Sequence, residues 1–271
     1  MAHKTLINGT AYDISGGREL VNGTGYAKKK GRVLVNGTGY DIPFSSGIPI
    51  GTLPAGSVVK IGVNGKAYDF LVVNQGIPSN SSLYDSSCDG TWLLMNVIYE
   101  SRKWNNTRAN GYEGSDIHSY LNNTFINLFD SNVRDAIKQI KIPYCNGYTG
   151  GNEIKKGANG LLCKLFLLAA YEVGWTVMDY EYTPVDGAKL DFFGASSGGD
   201  YKRIAKHDGQ DYPWWLRSPR ENITVNAVRV LSTGGYSGYG VTSNSGVRPA
   251  FTLPATFPVI QNPDCTYSPA A

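Results

Sequence analysis

Charge is scarce in this sequence: Asp, Glu, Lys and Arg make up 17% of 271 residues, and 25 Lys plus Arg against 22 Asp plus Glu leave a net charge of +3. Folded domains usually carry about 25% charged residues. The basic residues are scattered apart from Lys28, Lys29 and Lys30, so no basic face forms and a nucleic-acid partner is not expected. Long apolar runs are also missing. The most apolar stretch, 161–171, contains Lys164 and is about half the ~20 residues that span a membrane, so no membrane insertion is expected. Asn8 and Gly9 arrive before any apolar core of a secretory signal forms, which predicts synthesis in a cytoplasm without a signal peptide. The four cysteines, Cys88, Cys145, Cys163 and Cys265, show no CxxC or zinc spacing, so free thiols and no metal are expected. What is present is glycine, 33 residues or about 12%, against a usual ~7%, and enough aromatic residues to bury a core. The composition is that of a folded, turn-rich protein.

An internal repeat dominates the first 44 residues. Leu6-Ile7-Asn8-Gly9-Thr10-Ala11-Tyr12 recurs as Leu20-Val21-Asn22-Gly23-Thr24-Gly25-Tyr26 and as Leu34-Val35-Asn36-Gly37-Thr38-Gly39-Tyr40, with a period of 22 − 8 = 14. Asn-Gly suits a two-residue turn that needs φ > 0 at both positions, so three short hairpins in series are predicted. Units this short cannot bury a face alone. Residues 1–44 are therefore read as an attachment or oligomerisation segment, 45–54 with Pro49 and Pro54 as a linker, 55–257 as a ligand-binding domain and 258–271 as an irregular tail.

Within the larger domain, 58–63 and 68–73 flank Asn64-Gly65 and predict a further hairpin. Ser115 is placed to cap a helix carrying Ile117, Leu121 and Phe125, and Ser131 precedes Val133, Ile137 and Ile140 at similar spacing. A buried strand is expected around 163–168, then a helical turn ended by Gly174. Strands are expected at 214–219, 225–231, 239–242 and 247–253, with turns at Thr233-Gly234-Gly235 and Asn244-Ser245-Gly246. Few helices, short strands and long polar loops give an α+β fold class.

No residue pattern identifies a catalytic centre. His118 in the predicted helix after Ser115 and His207 in a polar loop lack a triad motif, and 194–199 lacks the GK[ST] ending of a phosphate loop. Trp214 and Trp215 offer flat faces for a sugar, but neighbours on a strand point to opposite faces, so at most one is expected in the core and at least one in the scaffold. Arg217 and Arg248 suit either an anion or burial on carboxylates and backbone carbonyls, and burial is the expected alternative.

Several motifs carry a resemblance. Trp214-Trp215-Leu216-Arg217-Ser218-Pro219, Gly246-Val247-Arg248-Pro249-Ala250-Phe251, Cys88-Asp89-Gly90-Thr91-Trp92-Leu93-Leu94, Ser115-Asp116-Ile117-His118-Ser119-Tyr120-Leu121-Asn122 and Tyr171-Glu172-Val173-Gly174-Trp175 resemble bacterial and phage C-type-lectin-like domains. These are related to formylglycine-generating enzyme and to the variable proteins of diversity-generating retroelements. The 14-residue repeat is similar to N-terminal segments of tail proteins from phages and prophages of Gram-positive bacteria. The resemblance implies a C-type-lectin-like fold over 55–257. It also implies a diversified ligand surface at Arg220, Glu221, Asn222, Thr224, Asn226, Arg229, Tyr236, Ser237, Tyr239, Thr242, Ser243 and Asn244.

Tyr, Ser and Asn suit that task on their own account, as in antibody paratopes; the other reading is that they are solvated residues alternating with core ones. No cysteine lies in 164–264, which removes the implied chemistry of the catalytic relative, and the calcium-lectin motifs are absent, so neither catalysis, cofactor nor metal is expected. The implied function is a phage tail-tip receptor-binding protein, an adhesin located in the virion. It would bind a host-cell surface protein or glycan, join other tail proteins through 1–44 and form a homotrimer. The alternatives are a polysaccharide-degrading tail enzyme using carboxylates such as Asp186, Asp191, Asp200 or Asp211, and a purely structural tail or cell-surface component.

Overall fold

A computed structural model describes residues 47–79, 82–107, 111–175, 185–195 and 200–270, together with the backbone of the strands within 3–43. The three N-terminal hairpins form as the repeat predicts. His3–Ile7 pairs with Thr10–Ile14, Arg18–Val21 with Thr24–Ala27 and Lys30–Val35 with Thr38–Pro43, all antiparallel. In each, the residue before Asn-Gly stands opposite the residue after it; the Asn-Gly dipeptides themselves lie outside the described residues. Each pair is a separate two-stranded sheet.

Two sheets organise the rest. An eight-stranded sheet runs in the order Leu165–Phe166, Ala250–Leu253, Thr91–Met95, Lys66–Gln75, Val58–Val63, Tyr267–Pro269, Pro258–Gln261 and Ile48–Pro49, curled as a half-barrel. Its seed is the predicted hairpin. Val63 stands opposite Lys66, and Asn64 and Gly65 take φ of 50° and 73°, the left-handed pair that a two-residue turn demands. Aromatic rings pack on both of its faces: on one, Phe251 meets Phe70 at 5.3 Å and Phe129 at 5.2 Å, and on the other Trp92 meets Phe166 edge-on at 5.2 Å. Such edge contacts suit the ring quadrupole.

The second sheet has five strands in the order Glu100–Lys103, Asn244–Val247, Trp214–Pro219, Asn226–Val230 and Tyr236–Gly240. One continuous segment joins the two sheets. Asn244–Val247 belongs to the five-stranded sheet and Ala250–Leu253 to the eight-stranded one, so the single strand expected over 247–253 is broken at Arg248-Pro249. Pro249 has no N–H to give a ladder. The expected turn at Asn244-Ser245-Gly246 is likewise strand, the chain turning instead at 241–243.

The helices are short. Asp116–Asn123 is capped by Ser115, whose Oγ accepts from His118 N, and it buries Ile117 and Leu121; Phe125 lies beyond it in a 3-10 turn. Ser131–Ala136 ends at Ile137, and Ile140 begins a strand instead of a third helical turn. The expected strand around 163–168 is split into Leu161–Cys163 and Leu165–Phe166. A turn follows over 170–174, ending at Gly174 with φ 90°.

The described architecture is mostly β with two short helices, and it does not show a C-type lectin fold. The correction has a physical source. Motifs such as Trp214–Pro219 fix a local strand and buried side chains, but which strands pair is decided by contacts far apart in sequence. Here the expected linker and irregular tail both supply strands: Pro258–Gln261 pairs with Tyr267–Pro269 and with Ile48–Pro49, and Tyr267 stands beside Val59.

Candidate functional site

All six residues of Trp214–Pro219 are buried. Both tryptophans are 0% exposed, which corrects the expectation that at most one lies in the core: the sheet is covered on both faces here, so alternation sends each ring into packed surroundings. Neither is a sugar platform. Trp214 Nε1 donates to Arg203 O at 2.8 Å, and Arg248 Cζ lies 4.9 Å from its ring. Trp215 Nε1 donates to Arg102 O at 2.9 Å.

The two arginines take the structural alternative. Arg217 uses all five guanidinium donors: two on Glu172 at 2.6 Å each, and one each on the carbonyls of Pro143, Leu167 and Asp186 at 3.0, 3.0 and 3.1 Å. Burial opposes its charge and Glu172 overrides that, so its pKa is raised. Arg248 Nε donates to Met95 O at 2.7 Å, and burial pulls this guanidinium down to about 9. Neither presents itself to an outside anion.

The candidate acids are held in different settings. Asp186 is fully buried, accepts from Ser218 Oγ at 2.7 Å through Oδ2, and leaves Oδ1 buried without a partner; burial pushes it up to about 6. Asp200 caps a 3-10 turn by accepting from Lys202 N at 2.9 Å, and Asp211 pairs with Lys206 at 2.9 Å. Asp191 is exposed. His118 is lowered to about 4 by burial. His207 belongs to the short strand Lys206–His207 and not to a loop. The cysteines are free, with Cys88, Cys145 and Cys163 buried and Cys265 exposed. Burial pushes Cys88 and Cys145 up to about 12. Of the small polar segment 194–199, residues 196–199 lie outside the described residues.

None of the twelve proposed ligand residues is buried: Asn222, Thr242 and Asn244 are exposed, and Arg220, Glu221, Thr224, Asn226, Arg229, Tyr236, Ser237, Tyr239 and Ser243 are half-buried. They lie on the hairpin of Asn226–Val230 with Tyr236–Gly240 and in the segments that flank it. The register divides them. Arg229 pairs with Ser237 and Ala227 with Tyr239, placing Arg229, Ser237 and Tyr239 on one face. Val230 pairs with Tyr236 and Asn226 with Gly240, placing Asn226 and Tyr236 on the other face with Val228.

The two tyrosines therefore do different things. Tyr236 packs edge-on against buried Trp175 at 5.1 Å. Tyr239 carries Arg229 Cζ at 3.5 Å from its ring centre and lies 6.0 Å from Trp215. Elsewhere in the set, Asn152 Nδ2 donates to Asn222 Oδ1 at 3.5 Å, and the Arg220 side chain lies over Gly238, where a Cβ would come within 2.8 Å of its Cδ.

Asn244 stands opposite Lys103 and belongs with residues that sequence reasoning missed. Ser101, Arg102, Lys103, Asn106, Asp116 and Asn244 line an open depression of about 320 Å³. No local pattern marks it. Its walls come from segments more than a hundred residues apart, joined by the pairing of Glu100–Lys103 with Asn244–Val247 and by Trp104 N and Asn105 N, which donate to Val241 O.

The comparisons with known proteins give one match. A family model described as Domain of unknown function (DUF6273) matches residues 89–255. No curated protein and no solved structure matches the chain.

Proposed function

The chain belongs to the DUF6273 family, and from that premise we propose that it acts by binding, as a phage or prophage tail-tip receptor-binding protein that attaches to the host-cell surface. The observation that carries this reading is the placement of Arg229 and Tyr239. They form an accessible cation–aromatic pair on a hairpin that rests on the buried strand Trp214–Pro219. A rigid base with a polar and aromatic outer layer is the arrangement that binding surfaces use, because little side-chain freedom is lost when a ligand docks. The reading rests on this surface and on the resemblance of the repeat to phage tail segments, and not on a lectin fold.

In this proposal 1–44 joins the protein to other tail proteins and to sister subunits in a homotrimer, and the partner is a host-cell surface protein or glycan. An isolated two-stranded hairpin is marginal in water, and three in series call for neighbours. The test is attachment of the labelled full chain to bacteria of the lineages that carry the gene. Attachment lost in an Arg229→Ala, Tyr239→Ala double variant with an unchanged fold supports the reading; attachment equal to the parent's overturns it.

A further inference from the structure

We propose that the depression beneath the Glu100–Lys103 edge binds a neutral saccharide unit of the host surface, recognised through its hydroxyl groups. This deepens the adhesin reading and rests on it. The lining, Ser101, Arg102, Lys103, Asn106, Asp116 and Asn244, is made of polar and charged side chains whose stems add apolar surface, which suits a ligand with both hydroxyl groups and carbon faces. Charge excludes a strong anion preference. Arg102 Nε is already bound to Glu100 Oε1 at 2.8 Å, so Arg102 and Lys103 are balanced by Glu100 and Asp116, 2 − 2 = 0. What remains is a set that both donates and accepts: the serine hydroxyl and two amides do both, the cations donate, and the carboxylate accepts. A saccharide hydroxyl is itself donor and acceptor, and a ring presents several within a few ångströms.

The groups are also held in place before any ligand arrives. The Arg102 guanidinium carbon lies 3.7 Å from the centre of the Tyr120 ring while its Nε is fixed by Glu100. Asn106 is clamped through both its backbone N and Nδ2 to Asp116 Oδ2, at 2.7 Å each. Asp116 is in turn the first residue of a helix, where the dipole favours its charge. Side chains fixed in this way lose little entropy on binding. The depression is also tied to the Arg229 and Tyr239 surface: buried Trp215 touches Tyr239 with its ring and donates to Arg102 O with its Nε1.

The experiment is saturation-transfer NMR on the full chain. The probes are methyl pyranosides of glucose, galactose, mannose, rhamnose and N-acetylglucosamine, with glucuronate and glycerol 3-phosphate as charged comparators. The expected result is transfer to at least one neutral pyranoside, weakened tenfold or more in Asn244→Ala, an exposed position whose truncation leaves the fold intact. Transfer to the charged probes alone, to none of the probes, or equally well in Asn244→Ala overturns the proposal. Cell attachment of the same samples separates the two readings. Attachment that depends on Tyr239 without any neutral sugar binding overturns the sugar site and keeps the adhesin. Sugar binding that depends on Asn244 without attachment overturns the adhesin and keeps the site.

Discussion

The guanidinium carbon of Arg229 lies 3.5 Å from the centre of the Tyr239 ring, on the strand next to it. On its other side Arg229 stands opposite Trp215, whose buried ring is 6.0 Å from Tyr239. Burial lowers the Arg229 pKa and Tyr239 works against that, so the arginine is held by the ring beneath it. Tyr236, three residues before Tyr239, faces the opposite way and packs on Trp175.

That division predicts two different outcomes for two similar substitutions. Tyr239→Ala removes a cation–aromatic contact of about 0.5–1 kcal/mol and the tilted ring contact with buried Trp215, and Tyr236→Ala removes an edge-on aromatic pair with buried Trp175, which costs about 1–2 kcal/mol with its burial. Both therefore lower the urea midpoint, but attachment to host cells falls in Tyr239→Ala alone, because Tyr236 faces the other way. An equal loss of attachment in the two variants would contradict that division.

Gly234→Ala tests the turn that closes the same hairpin. Gly234 has φ 79°, and a Cβ there would sit 2.3 Å from the backbone oxygen of Asp200. An L side chain is strained at that φ and the obstacle is main chain, so a loss of about 2 kcal/mol or more is expected in chemical denaturation. Gly65→Ala is the comparison: its φ is 73° with nothing within 4 Å of the added carbon, so only the backbone strain remains and the loss is smaller.

These glycines mark what was legible in the sequence. Asn64-Gly65 and Thr233-Gly234-Gly235 announce their turns because a left-handed φ is a local demand, and Ser115 announces its helix because a cap is local as well. The break at Arg248-Pro249 was not legible. Nothing within 247–253 says that its two halves join different sheets. Proline-rich 258–269 reads as irregular because its strands are held by backbone pairing at the edge of the eight-stranded sheet rather than by a pattern of apolar side chains. At the site, the residues of the outer hairpin were legible by type, but not their division between faces, since a shift of one residue in the strand exchanges the faces. Ser101, Arg102, Lys103 and Asn106 were not legible as a site, because backbone pairing between segments far apart in sequence brings them to Asn244.

The buried pair of Glu172 and Arg217 ties the turn at 170–174 to the Trp214–Pro219 strand. Glu172 also accepts from Tyr84 OH at 2.8 Å and from Ala169 N at 2.9 Å. Glu172→Ala strands the Arg217 charge in the interior and leaves two further donors without their acceptor. Removing one partner of such a pair costs about 3–5 kcal/mol. The expected result is a large fall in the urea midpoint, and a loss below about 1 kcal/mol would show that water reaches the pair.

Asp186 makes the stability depend on pH in a direction opposite to that of most carboxylates. Burial raises its folded-state pKa to about 6 from the ordinary 3.8, so the folded protein holds this proton more tightly than the unfolded chain. A raised carboxylate contributes stability that is fully present below its unfolded pKa and is lost as the pH rises through the folded value. Between pH 4.5 and 7.5 this residue alone removes about 2 kcal/mol. Asp85 and Asp264, both lowered by hydrogen bonds from their neighbours, act in the other direction, so the measurement is a difference of differences. Asp186→Asn cannot ionise. Its unfolding free energy at pH 7.5 minus that at pH 4.5 should exceed the parent's difference by about 2 kcal/mol. Equal differences for the two proteins would mean that Asp186 is already ionised at pH 4.5 in the fold, with its free oxygen hydrated.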